Sequence, residues 1–88
     1  MEEFEWDEAN EEHVAYHNVT PEEAEEALTD PLLVTATARR AVREPRWAVV
    51  GATEAGRILF VVFTRRRGAI RVVTARDATR AEKRRYRR

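Results

Sequence analysis

Arginine is the residue type with the clearest chemical potential in this sequence, and it is concentrated toward the C-terminal end. A triplet at 65–67 precedes Gly68, and Arg71 and Arg76 follow within and just after an apolar segment. A guanidinium group donates hydrogen bonds in a fixed planar fork and stays charged at any cellular pH, so it suits phosphate. RNA cleavage by the neighbouring 2′-hydroxyl passes through a phosphorane with extra negative charge, which preorganised arginines can stabilise. Arg71 and Arg76 are therefore candidates for chemistry, whereas the triplet is more simply explained as solvated, edge-protecting charge.

The two histidines and a late tyrosine are the other candidates. His13 and His17 lie four residues apart, on one face of a predicted helix. This spacing allows a shared metal ion or general acid–base work near neutral pH. No zincin motif surrounds the pair and the chain has no cysteine, so no metal site is assigned, and a catalytic role for His17 stands against a structural or surface role. The Tyr86 ring could stack on a base, or it could pack the last helix onto the sheet.

Charge is segregated along the chain although the formal net charge is zero. Residues 1–30 contain 12 acidic residues and no Lys or Arg, while residues 57–88 contain 12 Lys or Arg and only two acids, Asp77 and Glu82. Two interpretations follow. The acidic and basic parts pair with each other inside the domain, or the basic part binds a polyanion.

Composition narrows the function classes. A chain of 88 residues suffices for one domain, predicted to span 1–88, with a small core. The lack of cysteine excludes a disulfide framework and a thiolate-based site. Serine is also absent and the three glycines are scattered, which excludes a serine hydrolase and a Gly-rich phosphate loop. No apolar run approaches the roughly 20 residues of a membrane span, and the acidic start is unlike a signal peptide. We therefore expect a cytoplasmic protein without a membrane partner or a cofactor.

Periodicity and capping signals predict the elements that must position these side chains. Alternation around Phe4 and Trp6 indicates a very short edge strand, and Asp7 can cap a helix that follows it. Thr20, with Pro21 and Glu23, forms a capping box that opens a second helix. Residues 46–54, 57–64 and 69–75 read as three strands joined by short turns. Residues 32–38 could be a fourth strand, residues 38–45 read as a loop, and a last helix at 79–88 is capped by Asp77 or Thr79.

These elements predict an α+β fold, with two N-terminal helices packed on a three- to four-stranded antiparallel sheet and a short C-terminal helix. The middle strand, from Ile58 to Phe63, is apolar on both faces, so both sides of the sheet must be covered there. The N-terminal helices can cover only one side, which leaves the other to the C-terminal segment and to a partner. Strict alternation predicts that Arg71 shares one face of its strand with Val73 and Ala75.

The order of motifs resembles the BrnT family of toxins from bacterial type II toxin-antitoxin systems. The motifs are FEWD, YHNVTPEEAEEAL, VGATEAGRILFVVFT and IRVVTARDATRAEKRRY, which together span nearly the whole chain. The resemblance implies a RelE-like fold and a metal-independent endoribonuclease that halts translation. It also implies a cognate DNA-binding antitoxin protein, which can form a heterotetramer with the toxin when the antitoxin is dimeric.

The resemblance and the distribution of basic residues together give two sets of candidate site residues. The catalytic candidates are Arg76, Arg71, Arg66, His17 and Tyr86. The RNA-binding candidates are Arg65, Arg80, Lys83, Arg84 and Arg85. The chain departs from the family pattern at Asn10, where lysine is common, at His13, where asparagine is common, and at Tyr16, Asn18 and Arg65.

Two alternatives from other function classes remain open. The basic surface could belong to a non-catalytic module that binds nucleic acid or an acidic partner, with affinity that falls steeply with salt. It could also pair with the acidic surface of a second copy of the chain. Cleavage of RNA by the purified protein would distinguish the ribonuclease interpretation from these two alternatives.

Overall fold

The computed structural model describes residues 3–40 and 45–86, and within these ranges the chain forms five strands and three helices. In chain order they are β1 (Phe4–Glu5), α1 (Glu8–Tyr16), α2 (Pro21–Leu28), β2 (Val34–Arg40), β3 (Pro45–Ala52), β4 (Ile58–Arg66), β5 (Ala69–Asp77) and α3 (Arg80–Tyr86). The prediction of an α+β fold with two N-terminal helices and a short C-terminal helix is confirmed.

The strands form one mixed sheet in the order β1-β5-β4-β3-β2. The pairs β2–β3, β3–β4 and β4–β5 are antiparallel, whereas β1 pairs parallel to β5, with Phe4 opposite Ile70. The predicted three- to four-stranded antiparallel sheet is therefore wrong in strand number and in the direction of one edge strand. The two residues of β1 are too few for their own periodicity to reveal their pairing.

The predicted caps form as expected. In α1, the Asp7 carboxylate accepts from Asn10 N (3.2 Å) while Asn10 Oδ1 accepts from Asp7 N (2.8 Å). In α2, Thr20 Oγ1 accepts from Glu23 N and Glu23 Oε1 accepts from Thr20 N, at 3.1 and 3.0 Å. Each box satisfies amides that have no partner inside the helix.

The third helix begins in the same manner. Thr79 Oγ1 accepts from Glu82 N (3.2 Å) and Glu82 Oε1 accepts from Thr79 N (2.8 Å). Thr79, rather than Asp77, is therefore the capping side chain of α3.

The helices cover the two faces of the sheet unequally. Helices α1 and α2 pack on one face, here called the α1/α2 face, over a cluster of nine buried residues, namely Val14, Val19, Ala24, Ala27, Val49, Leu59, Val61, Val72 and Ala75. The opposite face, here called the α3 face, has a smaller cluster of Val50, Ile58 and Ala78, with Phe60 and Tyr86 packed against it. The middle strand is thus covered on both sides, as its sequence requires, but α3 covers only one end of its face.

The segment predicted as a loop at 38–45 is partly strand. Strand β2 continues to Arg40 and β3 begins at Pro45, with Ala38 opposite Trp47 and Arg39 opposite Arg46. Strand β2 extends this far because its backbone pairs with β3, although the sequence of this stretch shows no alternation of apolar and polar residues. Residues 41–44 of the predicted loop lie outside the described residues.

Candidate active site

A β-bulge in β5 decides where the candidate arginines point. The register between β4 and β5 shifts by one residue at Val73, so that Thr64 lies opposite Arg71 and Phe60 opposite Arg76. Residues paired across an antiparallel sheet project from the same face. Because Phe60 and Thr64 are four residues apart in β4, both arginines project from the α3 face. Without the bulge, two residues five positions apart would point to opposite faces.

The prediction that Arg71 shares a face of β5 with Ala75 is therefore wrong. Ala75 lies in the core of the α1/α2 face together with Val72, so it does not share a face with Arg71, because the bulge interrupts the alternation. Arg66 follows Thr64 by two residues in β4 and joins the α3 face instead. The three arginines proposed for catalysis therefore project from one surface.

Arg71 is held by the acidic N-terminal segment. Its Nη1 and Nη2 atoms donate to Asp7 Oδ2 and Oδ1 at 3.0 and 3.2 Å, a bidentate pair. The hydrogen bond from Arg71 and a second from the Asn10 amide lower the pKa of Asp7. Glu5 Oε1 is buried and accepts no hydrogen bond from a described residue, lying 3.7 Å from Arg66 Nε and 3.8 Å from Arg71 Nη1. Internal pairing between the acidic and basic parts of the chain is thus present at this end of the sheet.

A cleft of about 230 Å³ lies between α1 and this end of the sheet. We call it the basic cleft. Arg46, Arg66 and Arg71 line it from β3, β4 and β5, and Asn10 and His13 line it from α1. Within the described part of the chain, Arg46 has no ion-pair partner.

Arg76 lies at the other end of the same face. Its guanidinium forms a bidentate pair with Glu82 of α3, at 3.0 and 3.1 Å, and stacks on the Phe60 ring with 4.1 Å between Cζ and the ring centroid. The hydrogen bond from Arg76 is the main cause that lowers the pKa of Glu82. The Arg76 side chain remains 36% exposed, so a ligand on the α3 face can reach it.

Tyr86 fastens α3 to the rest of the domain. Its ring packs against the cluster of the α3 face, and its hydroxyl donates to Asp30 Oδ2 at 2.5 Å. This hydrogen bond raises the pKa of Tyr86. Burial tends to raise the pKa of Asp30, but the bonds it accepts from Tyr86 and from two backbone amides outweigh burial and lower it. Of the two roles considered for Tyr86, the structure shows the packing role.

The two histidines occupy different surroundings. His17 ends α1 as its C-cap, with its ring edge-on to Tyr16 at 5.1 Å. The His13 and His17 ring centroids are 6.4 Å apart, yet only His13 lines the basic cleft. Among the described residues no group of three or more His, Asp or Glu side chains is placed to hold a metal ion.

The basic residues proposed for RNA binding lie on exposed surface. Arg65 is the next-to-last residue of β4, and Arg80, Lys83, Arg84 and Arg85 lie within α3. Arg85 donates to Thr35 O at 2.8 Å and so ties α3 to the edge strand β2.

Arg57 has a structural role that the sequence did not reveal. Its guanidinium donates to Asp77 Oδ1 (2.8 Å), Asn18 O (2.8 Å) and Glu23 Oε1 (3.0 Å), joining β5 to the junction between α1 and α2. The bond from Arg57 lowers the pKa of Asp77. Its position directly after a turn gave no periodic signal, and only the folded chain brings its partners together.

Four of the five predicted catalytic residues thus fall into two separate groups, and His17 lies apart from both. Arg66 and Arg71 belong to the basic cleft, while Arg76 and Tyr86 belong to the region around α3. Phe60 and Thr64, the strand partners of Arg76 and Arg71, are separated by roughly 13 Å along β4. His17 joins neither group.

None of the helices in the described ranges is long and apolar enough to cross a membrane. A family model described as the ribonuclease toxin, BrnT, of type II toxin-antitoxin systems matches residues 6–82. No curated protein gives a significant match. The family match spans both groups of arginines and confirms the resemblance drawn from the motifs. The chain belongs to the BrnT family of ribonuclease toxins of type II toxin-antitoxin systems.

Proposed function

We propose that this chain is an active endoribonuclease that inhibits translation, and that its RNA substrate lies along the α3 face of the sheet. The observation that carries the proposal is the bulge at Val73, which brings Arg66, Arg71 and Arg76 onto one surface. A row of guanidinium groups on an open sheet face suits a phosphodiester backbone.

The chemistry needs few parts. The 2′-hydroxyl of the RNA loses its proton and its oxygen attacks the adjacent phosphorus, and the P–O5′ bond breaks. A 2′,3′-cyclic phosphate remains on one product and the other carries a 5′-hydroxyl, whose oxygen takes a proton from solvent. Arginines aimed at the phosphorane stabilise the transition state more than the ground state. In this proposal Arg71, with Arg66 as its companion, supplies that charge, while Arg76 binds a neighbouring phosphate at the other end of the same face and so positions the RNA backbone. No metal ion or cofactor takes part.

The exposed basic residues of α3 extend the surface for substrate. Arg80, Lys83, Arg84 and Arg85 lie on α3, the helix that packs on this face and that bonds to Arg76 through Glu82. We propose that they bind RNA phosphates next to the cleaved bond. Arg65 lies between Thr64 and Arg66 in β4 and projects from the opposite face of the sheet, so it takes no part in this contact. Such contacts make affinity depend on salt without carrying sequence preference.

Membership of the family implies a cognate antitoxin. We propose that this partner is a DNA-binding protein, that it acts in the cytoplasm, and that it covers the α3 face in a complex that is a heterotetramer if the antitoxin is dimeric. The predicted RelE-like fold belongs to the same proposal. Binding on this face blocks RNA and buries the part of the sheet that α3 leaves open.

A second candidate function rests on the ion pairs. Arg71 is paired with Asp7, Arg66 lies near Glu5, and Arg76 is paired with Glu82. These carboxylates compete with phosphate for the same donors. If they prevail, the chain is a module that binds RNA weakly, or an acidic partner, without cleaving it.

Cleavage of a labelled RNA by the purified chain distinguishes the two. The informative variant is Arg76→Met, which retains an apolar stem over Phe60 while removing the guanidinium. The matched control is Arg67→Asn, which removes one positive charge in the turn after β4, because asparagine tolerates the positive φ of 54° found there.

We expect the wild type and Arg67→Asn to cleave RNA and to arrest growth on expression. Arg76→Met should lose activity by about 100-fold or more, because the RNA backbone is no longer held in the reactive position, with an unchanged circular dichroism spectrum. A gel shift without product from the wild type would instead support the non-catalytic function. Equal rates in all three proteins would remove Arg76 from the site.

A further inference from the structure

The basic cleft holds a histidine that the family pattern does not lead one to expect. His13 occupies a position where asparagine is common in the resemblance, and it lines the cleft with Arg46, Arg66 and Arg71. An imidazole can accept or give a proton near neutral pH, which neither asparagine nor arginine can do. The cleft therefore combines a proton-transfer group with phosphate-binding groups, whereas the region around Arg76 offers no histidine among the described residues.

The charge balance of the cleft leaves room for an anion. Three arginines face two carboxylates, Asp7 and Glu5. Glu5 meets Arg66 and Arg71 only at 3.7 and 3.8 Å, beyond hydrogen-bond distance. Some N–H groups of these arginines are therefore not engaged in a short hydrogen bond. A phosphate oxygen can accept from them without displacing an existing hydrogen bond.

The helix that carries His13 is fixed against the sheet at this point. The buried Asn10 side chain, one turn before His13, donates through Nδ2 to Val72 O and to Glu5 O, both at 3.0 Å. Residues three apart in a helix lie on the same side. Asn10 thus fixes the part of α1 that carries His13, and the exposed His13 side chain lines the cleft.

We infer that the basic cleft binds the scissile phosphate of the RNA and that His13 is the general base that takes the proton of the 2′-hydroxyl. This inference rests on the proposed ribonuclease function and assigns its proton transfer to a different histidine from the His17 of the motif. In the step, a ring nitrogen of His13 gains the hydroxyl proton, the O2′–P bond forms and the P–O5′ bond breaks. His13 then returns the proton to solvent. Arg46 joins Arg66 and Arg71 as a phosphate-binding residue.

Several charged or titratable groups line the cleft with His13, contact the residues that line it, or lie near His13 in α1, and they enter any pH dependence. They are Arg46, Arg66 and Arg71 from the sheet, Glu5 and Asp7 from the N-terminal segment, and Tyr16 and His17 from α1 itself. A substitution of His13 alone is therefore needed to show which part of the pH–rate profile depends on His13.

The test compares His13→Asn with Glu12→Gln, a substitution at the neighbouring exposed position of α1. Single-turnover cleavage of a defined RNA is measured across about pH 5–8 with the full chain. We expect His13→Asn to slow the cleavage step by about 100-fold or more, to leave RNA affinity within about twofold, and to remove the acid-side limb of the pH–rate profile. Glu12→Gln should retain the wild-type rate and profile.

The outcomes separate this inference from the proposed function. If the wild type cleaves RNA and His13→Asn is equally fast with the same pH profile, the inference is overturned and the ribonuclease function stands. A wild type that cleaves no RNA overturns both. A loss of RNA affinity equal to the loss of rate would show that His13 binds rather than transfers a proton, and would also overturn the assignment.

Discussion

Asn10→Ala is the substitution that best tests how α1 is held against the bulged strand. Asn10 is 4% exposed and its side chain makes three hydrogen bonds. Nδ2 donates to Val72 O beside the bulge and to Glu5 O at the end of β1, and Oδ1 accepts from the Asp7 amide. One side chain thus joins the cap of α1, the end of β1 and the bulge of β5.

The expected cost follows from these bonds. Removing the donor to the buried Val72 carbonyl costs about 1–3 kcal/mol, and the less buried Glu5 carbonyl adds about 0.5–1 kcal/mol. Loss of the capping contact to Asp7 adds roughly 0.5 kcal/mol. The free energy of unfolding should fall by about 2–4 kcal/mol, which in a domain of this size lowers the melting temperature by roughly 10–25 °C.

Urea and thermal unfolding followed by tryptophan fluorescence measure this change. Glu12→Ala, an exposed substitution in the same helix, is the control and should stay within about 0.5 kcal/mol of the wild type. If Asn10→Ala unfolds at the same urea concentration as Glu12→Ala, the three hydrogen bonds do not hold α1 and the reasoning is refuted.

Three further substitutions test other parts of the account. A Cβ at Gly51 would lie 2.2 Å from a backbone carbonyl oxygen of α2, so Gly51→Ala should lower the free energy of unfolding by about 1–3 kcal/mol; an unchanged urea midpoint would contradict this close approach. Because Arg57 lowers the pKa of Asp77, that carboxylate stabilises the fold above its unfolded pKa and the benefit disappears as pH falls below about 4. Arg57→Met should therefore unfold more easily at pH 7 and differ less from the wild type at pH 3, and parallel losses at both pH values would contradict the ion pair. Glu82→Gln can keep the cap of α3 but removes the carboxylate that competes with phosphate for Arg76, so RNA affinity should rise and its salt dependence should steepen; a gel-shift titration showing weaker binding would contradict the role of Arg76.

Much of the fold could be read from local signals. Such signals include the capping box of Thr20 with Glu23, the apolar run of β4 and the turn at Gly68. Each predicted helix and strand is found near its expected place. The parallel pairing of β1 and the extension of β2 to Arg40 could not be read, because both depend on the backbone of a strand distant in sequence.

The candidate site depends on one irregularity that the sequence does not show. Residues 69–77 alternate well enough to suggest a regular strand, yet the bulge at Val73 brings Arg71 and Arg76 to the same face. The role of Arg57 also went unrecognised, because its partners come from three other segments. The preference for His17 over His13 followed the family motif, whereas the position of α1 at the cleft depends on the buried contact of Asn10.

The central claim, that RNA occupies the α3 face, is tested most directly by NMR of the arginine side chains. The Nε–Hε signals are followed while an uncleavable 2′-deoxy oligonucleotide is added to the wild-type chain. We predict that the signals of Arg66, Arg71 and Arg76 shift together, while that of Arg57, held by its three acceptors, stays unchanged. Shifts confined to the arginines of α3 would contradict the claim.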